Sequence, residues 1–91
     1  MTRPPDSQPL HRVEAAGMTS IYSNDYQMVI KALRDARIAC GITQQEVASA
    51  FGRPQSFIAK VESGERRLDV VEFVRYCRIV NINPVSILQK L

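Results

Sequence analysis

"GITQQEVASAFGRPQSFIAKVESG", residues 41–64, decides the fold. Thr43 followed by Glu46 is a capping box, so a helix opens at about 44. Val47, Ala48 and Phe51 give it an inner face, and Gly52 stops it after residue 51. Pro54 suits the first turn of a further helix, where its missing N–H costs nothing. That helix runs to about Ser63, with Gly64 as its stop. On a helical wheel Pro54, Phe57, Ile58 and Val61 share one face, which must be buried. Gln55, Ser56, Ala59, Lys60 and Ser63 fall on the other side, with Glu62 at the edge.

That polar face is small, rich in hydrogen-bonding groups and free of carboxylates. Gln and Lys can bond base edges, Ser a base or a phosphate, and Ala leaves room for close approach. A solvated surface face is the plain alternative. The pairing of the two helices weighs against it. The first is short, Ala48 is small enough to let the second cross closely, and Gly52 supplies the turn, a helix-turn-helix pattern.

Working outward, Asn24 with Gln27 resembles a capping box for a helix over about 25–39, on which Tyr26, Val29, Ile30, Leu33 and Arg37 recur at helical spacing. Gly41 ends it. Asp69 with Glu72 opens a helix over about 70–80, striped by Val70, Phe73, Val74 and Cys77. Asn83 and Pro84 start a fifth, with Val85, Ile87, Leu88 and Leu91 apolar. Strand alternation is absent. The expected fold is all-α, a compact bundle of five short helices containing a helix-turn-helix, over residues 25–91. Residues 1–24 hold Pro4, Pro5, Pro9 and Gly17 without apolar periodicity and read as a flexible N-terminal arm.

Ninety-one residues make one small domain, 45% apolar and 23% charged. The net charge is +3. In the first 24 residues Arg3 and Arg12 cancel Asp6 and Glu14, so all of the excess lies in 25–91 and favours an anionic partner. Cys40 and Cys77 are far apart and the lone His is His11, so no metal site and no cofactor is expected. Both thiols read as reduced, small core residues. No apolar run suits a membrane span, and "MTRPPDSQPLHR" lacks the apolar region of a signal peptide. No nucleophile–base set, carboxylate pair or Gly-rich phosphate loop is present, so the chain is not expected to be an enzyme.

The stretch "LRDARIACGITQQEVASAFGRPQSFIAKVESGERRLDVVEFVRYCRIVNINP", residues 33–84, resembles the helix-turn-helix domain of the phage repressor and Cro type, the XRE family. The resemblance implies a lambda repressor-like fold and double-stranded DNA as partner. It implies that Gln44, first in its helix, holds a phosphate, a role that a helix N-terminus favours physically. Thr43 is then a cap first and a phosphate contact second. Gln55, Ser56 and Lys60 match base-reading positions, Arg53 a phosphate or base contact, and Arg66 and Arg67 backbone contacts. Arg37 and Glu62 match a structural ion pair tying the first helix to the third. Pro54 departs from the pattern, replacing the usual Ser or Thr and removing a hydroxyl and an N–H. The implied function is a cytoplasmic, bacterial or phage-encoded transcriptional regulator, a repressor type acting by operator occupancy. A protein-interaction adaptor or antitoxin-like module on the same fold is the alternative.

One such domain covers about one half-site, so a homodimer is expected. On the fifth helix Val85, Leu88 and Leu91 lie near one face that can cover the core. Ile87 is left on the other side, near Leu91 at i+4, and a dimer interface at Ile87 and Leu91 is expected. That all four residues simply close the core is the other reading of the same pattern.

Overall fold

The computed structural model describes residues 23–91. They form α1 (Asn24–Ala39), α2 (Gln44–Phe51), α3 (Gln55–Glu62), α4 (Val70–Ile79) and α5 (Pro84–Leu88), and no strand occurs among them. The all-α, five-helix expectation holds. The arm expected over 1–24 lies outside the described residues except for its last two. Ser23 is the N-cap of α1, its Oγ accepting from the Tyr26 N–H at 3.1 Å, and Asn24 is already helical. The cap therefore stands one residue before the Asn24–Gln27 pair.

The other two boxes form as the spacing predicts. Thr43 Oγ1 accepts from the Glu46 N–H at 3.1 Å, while Glu46 Oε1 accepts from the Thr43 N–H at 2.8 Å. Asp69 and Glu72 repeat this at 2.7 and 3.0 Å at the start of α4. Each pair satisfies backbone donors that the first helical turn leaves without partners. Gly52 sits at φ +70°, a left-handed conformation that side chains resist, and lets the Arg53 N–H close α2 on the Ala48 carbonyl oxygen at 2.9 Å.

Pro54 differs from expectation. It is the exposed N-cap of α3, in extended conformation, and not a buried first-turn residue. Its ring fixes φ near the observed −70°, which fits the extended cap as well as the first turn. Phe57, Ile58 and Val61 alone form the inner face of α3. They meet Val47 and Ala48 of α2 and Leu33 of α1, all buried. Ala48 is 1% exposed, and its methyl group is what permits the close crossing of α2 and α3. Full burial of a side chain such as Leu33 or Ile58 contributes about 1.5–3 kcal/mol.

Two helices bury a face other than the one their apolar spacing suggested. On α4 the buried set is Phe73, Tyr76 and Cys77, followed by Val80, while Val70 is 73% exposed. Tyr76 carries more apolar surface than Val70 and its hydroxyl finds a buried partner, so the helix turns that side inward. On α5 the expectation is reversed. Ile87 is buried at 1% and closes the core against α1 and α4, whereas Val85, Leu88 and Leu91 are exposed. A five-residue helix reaches the core with one side chain, and Ile87, its fourth residue, supplies it. Ile87 is therefore a core residue and cannot present itself to a second chain.

The cysteines also separate. Cys77 is buried, and its burial pushes the thiol up to about 11. Cys40 is exposed at the end of α1, its Sγ donating to the Val80 carbonyl oxygen at 2.8 Å, so it is no core residue.

Candidate nucleic-acid interface

The exposed side of α3 and the N-terminus of α2 form one surface. Gln55, Ser56 and Lys60 are exposed on it, Ala59 is half-buried between them, and Thr43 and Gln44 stand at the start of α2 beside Gln55. Gln55 Nε2 donates to Gln44 Oε1 at 2.7 Å. Gln44 Nε2 donates in turn to Glu62 Oε1 at 3.0 Å. An open hollow of about 550 Å³ lies in front of the α2 N-terminus, lined by Arg37, Ile42, Thr43, Gln44 and Gln55 among others.

The Arg37–Glu62 pair that the family resemblance implies is present. Arg37 Nε donates to Glu62 Oε2 at 2.7 Å and Arg37 Nη2 to Glu62 Oε1 at 3.0 Å, a fork on a carboxylate. The remaining Nη1 donates to the Ile42 carbonyl oxygen at 2.9 Å and ties the α1–α2 turn to the same group. The two side chains are 12% and 4% exposed. Burial pushes the Glu62 carboxyl up, but hydrogen bonds from Arg37, Tyr76 and Gln44 outweigh it and hold the group below its ordinary value. Glu62 is thus an ionised acceptor carrying all three donors.

Tyr76 was not legible as part of this site. It is fully buried on α4 and its hydroxyl donates to Glu62 Oε2. Burial and the neighbouring carboxylate both push its pKa far above the ordinary phenol value, so it stays a neutral donor. A Tyr three residues after Phe73 and four before Val80 on a short apolar stripe is the only sequence sign of such a role.

The arginines sit differently from one another. Arg53 lies 4.2 Å from the Phe57 ring centroid and Arg66 4.7 Å from the same centroid. Arg66 is further fixed by Glu72, with Nη1 to Oε1 at 2.8 Å and Nη2 to Oε2 at 3.2 Å. The Arg66 hydrogen bond holds the Glu72 carboxyl below its ordinary value. Arg67 is exposed and its guanidinium lies 4.6 Å from the Tyr26 ring centroid. Arg53 and Arg67 therefore offer charge outward, while part of the charge of Arg66 is met within the molecule. Glu72, read in the sequence only as a cap partner, serves both the α4 cap and Arg66.

Comparison with known proteins bears on this arrangement. A helix-turn-helix family model matches residues 33–87. A solved structure, an XRE-family like protein from Pseudomonas syringae pv. tomato str. DC3000, is 47% identical. The match covers 84% of this chain and 92% of that one, with a TM-score of 0.73. The chain belongs to the XRE-type helix-turn-helix family. No curated protein matches. As an XRE-type protein it is a DNA-binding helix-turn-helix regulator and not an enzyme. In this XRE-type chain α2 and α3 are the helix-turn-helix pair, and the matched region contains Arg37, Thr43, Gln44, Arg53, Gln55, Ser56, Lys60, Glu62, Arg66, Arg67, Glu72 and Tyr76. No helix among the described residues is long and apolar enough to cross a membrane.

Proposed function

We propose that this protein represses or otherwise regulates transcription in the cytoplasm by occupying a specific operator, laying α3 in the major groove. The observation that carries the reading is the Gln55–Gln44–Glu62 chain of hydrogen bonds. Glu62 only accepts, so the Gln44 amide must turn its nitrogen toward Glu62 and its oxygen toward Gln55. Gln55 then turns its nitrogen inward and keeps one N–H and its oxygen for the groove. One donor and one acceptor are what adenine asks for at N7 and N6, whereas guanine offers two acceptors.

Ser56 and Lys60 complete the reading set. Thr43 and Gln44 at the α2 N-terminus, with Arg53, Arg66 and Arg67, supply phosphate contacts that position the protein without reading sequence. The active species is a homodimer whose two α3 helices enter successive major grooves about 34–36 Å apart.

Selection of bound sequences from random duplex DNA tests this. A two-fold motif with adenine at one position of each half-site is expected. Failure to enrich any sequence, together with binding that does not weaken as salt rises, would assign the domain to protein partners instead.

A further inference from the structure

Two successive residues at the start of α1, Tyr26 and Gln27, reach across to the segment that joins α3 to α4. They do so at both of its ends. At one end Gly64 is buried, and a Cβ placed on it would stand 3.3 Å from Gln27 Nε2. At the other the Tyr26 hydroxyl accepts from the Leu68 N–H at 3.2 Å, a bond between residues 42 positions apart. Other donors of the segment are met locally. The Glu65 and Arg66 N–H groups both go to the Lys60 carbonyl oxygen, at 2.8 and 3.1 Å, and the Asp69 N–H goes to Glu72 Oε1 at 3.0 Å.

The same tyrosine makes a second contact. Its ring centroid lies 4.6 Å from the Arg67 guanidinium carbon. Arg67 is exposed and enters no ion pair among the described residues, whereas Arg66 gives its fork to Glu72. A carboxylate orients a guanidinium by neutralising it. An aromatic face orients it through the ring quadrupole and leaves the full charge for an outside anion. The core does not require this chemistry. Tyr26 is only half-buried on the apolar side of α1, where a leucine would pack as well without a hydroxyl or an aromatic face.

We propose that Tyr26 is a positioning residue for DNA binding: its hydroxyl fixes the backbone at Leu68, and its ring presents the adjacent Arg67, ordered and still charged, to a duplex phosphate. Tyr26 acts through Arg67 and not by touching DNA. An arginine free on the surface loses rotamer freedom when it meets a phosphate; one already laid on a ring has lost part of it before binding. The inference rests on the reading of Arg67 as a phosphate contact made above.

Duplex binding by the parent, Tyr26→Leu, Tyr26→Phe, Arg67→Ala and the Tyr26→Leu, Arg67→Ala double variant tests it, at temperatures where circular dichroism shows each protein folded. Tyr26→Leu should weaken cognate and random duplexes alike, by about 2–5-fold, the factor that an exposed cation–π contact corresponds to. Tyr26→Phe keeps the ring and should restore most of that loss. In the Arg67→Ala background Tyr26→Leu should cost nothing further. Exchange of the Leu68 amide should quicken in both Tyr26 variants. In the parent without DNA, the Arg67 side-chain protons should be shifted upfield by the ring.

Parental affinity in Tyr26→Leu, beside weakened binding by Arg67→Ala, overturns the proposal. So does a loss that persists in the Arg67→Ala background, which would make Tyr26 a residue of stability alone. Should Tyr26→Leu fail to fold, the free parent decides, and Arg67 protons without a ring shift end the idea. If Arg67→Ala binds like the parent, the phosphate contact at Arg67 fails and this inference with it. Binding by the parent that ignores salt would end the operator reading as a whole.

Discussion

Gln55 on α3 donates a hydrogen bond to Gln44 on α2, at 2.7 Å, across the turn that joins the two helices. On the proposed reading, the amide offered to a DNA base is thereby oriented by the one offered to the DNA backbone. Gln55→Ala removes the base contact and should cost about 1–3 kcal/mol on the selected site, with preference lost at one base position. Gln44→Ala frees the Gln55 amide to turn over, so discrimination of adenine from guanine at that position should shrink while Gln55 remains. Competition titrations against sites changed at that base measure both. An unchanged preference in both variants would remove the Gln55 amide from the reading role.

The arginines should separate by salt dependence. Arg67→Ala and Arg53→Ala should weaken cognate and random duplexes about equally, each lowering the salt slope by roughly one ion. Arg66→Ala should lower it less, because Glu72 already holds that guanidinium, and should also lower the melting temperature by loosening the start of α4. Equal slopes for the three variants and the parent would mean that none of these side chains meets phosphate.

The buried fork between Arg37 and Glu62 is a stability device. Removing either partner leaves an unpaired charge, a loss of up to about 3–5 kcal/mol in the fully buried limit. Arg37→Ala, Glu62→Ala and the double variant should therefore be strongly non-additive in thermal or denaturant unfolding. Tyr76→Phe removes only one of the donors to Glu62 and should cost about 0.5–3 kcal/mol. Additive losses for Arg37 and Glu62 would show that the fork is not formed in solution.

Acid should act through the same carboxyl. The folded Glu62 lies below the 4.5 of a free Glu side chain. Its contribution is fully present above that value and is lost as pH falls through the lower, folded value. The melting temperature of the parent should drop more steeply below about pH 4.5 than that of Glu62→Gln, which is less stable at neutral pH but has no charge there to lose. Parallel curves for the two proteins from neutral to acid pH would place the acid response elsewhere.

The helix boundaries were readable because short-range chemistry writes them. Thr43 with Glu46 and Asp69 with Glu72 mark starts, and Gly52 marks a stop, at residue resolution. The polar face of α3 was readable too, since its three large apolar residues leave only one way to turn. The faces of α4 and α5 were not. On α4 apolar residues surround the helix, and the choice of Tyr76 over Val70 depends on Glu62, 14 positions earlier in the chain. On α5 five residues hold too little periodicity to separate Ile87 from Leu88. The Gln44 to Glu62 contact spans 18 positions and has no local signature either.

Phe57 has one ring in the core and, over that ring, the guanidiniums of Arg53 and Arg66. A genetic screen for lost DNA binding would therefore recover position 57 among the surface residues, although its side chain is 6% exposed. An aliphatic replacement such as Phe57→Leu could keep the domain folded while leaving both charges without their platform. The mutational map of this protein would then show a core position with the phenotype of a phosphate contact, and sorting its alleles by burial alone would misplace it.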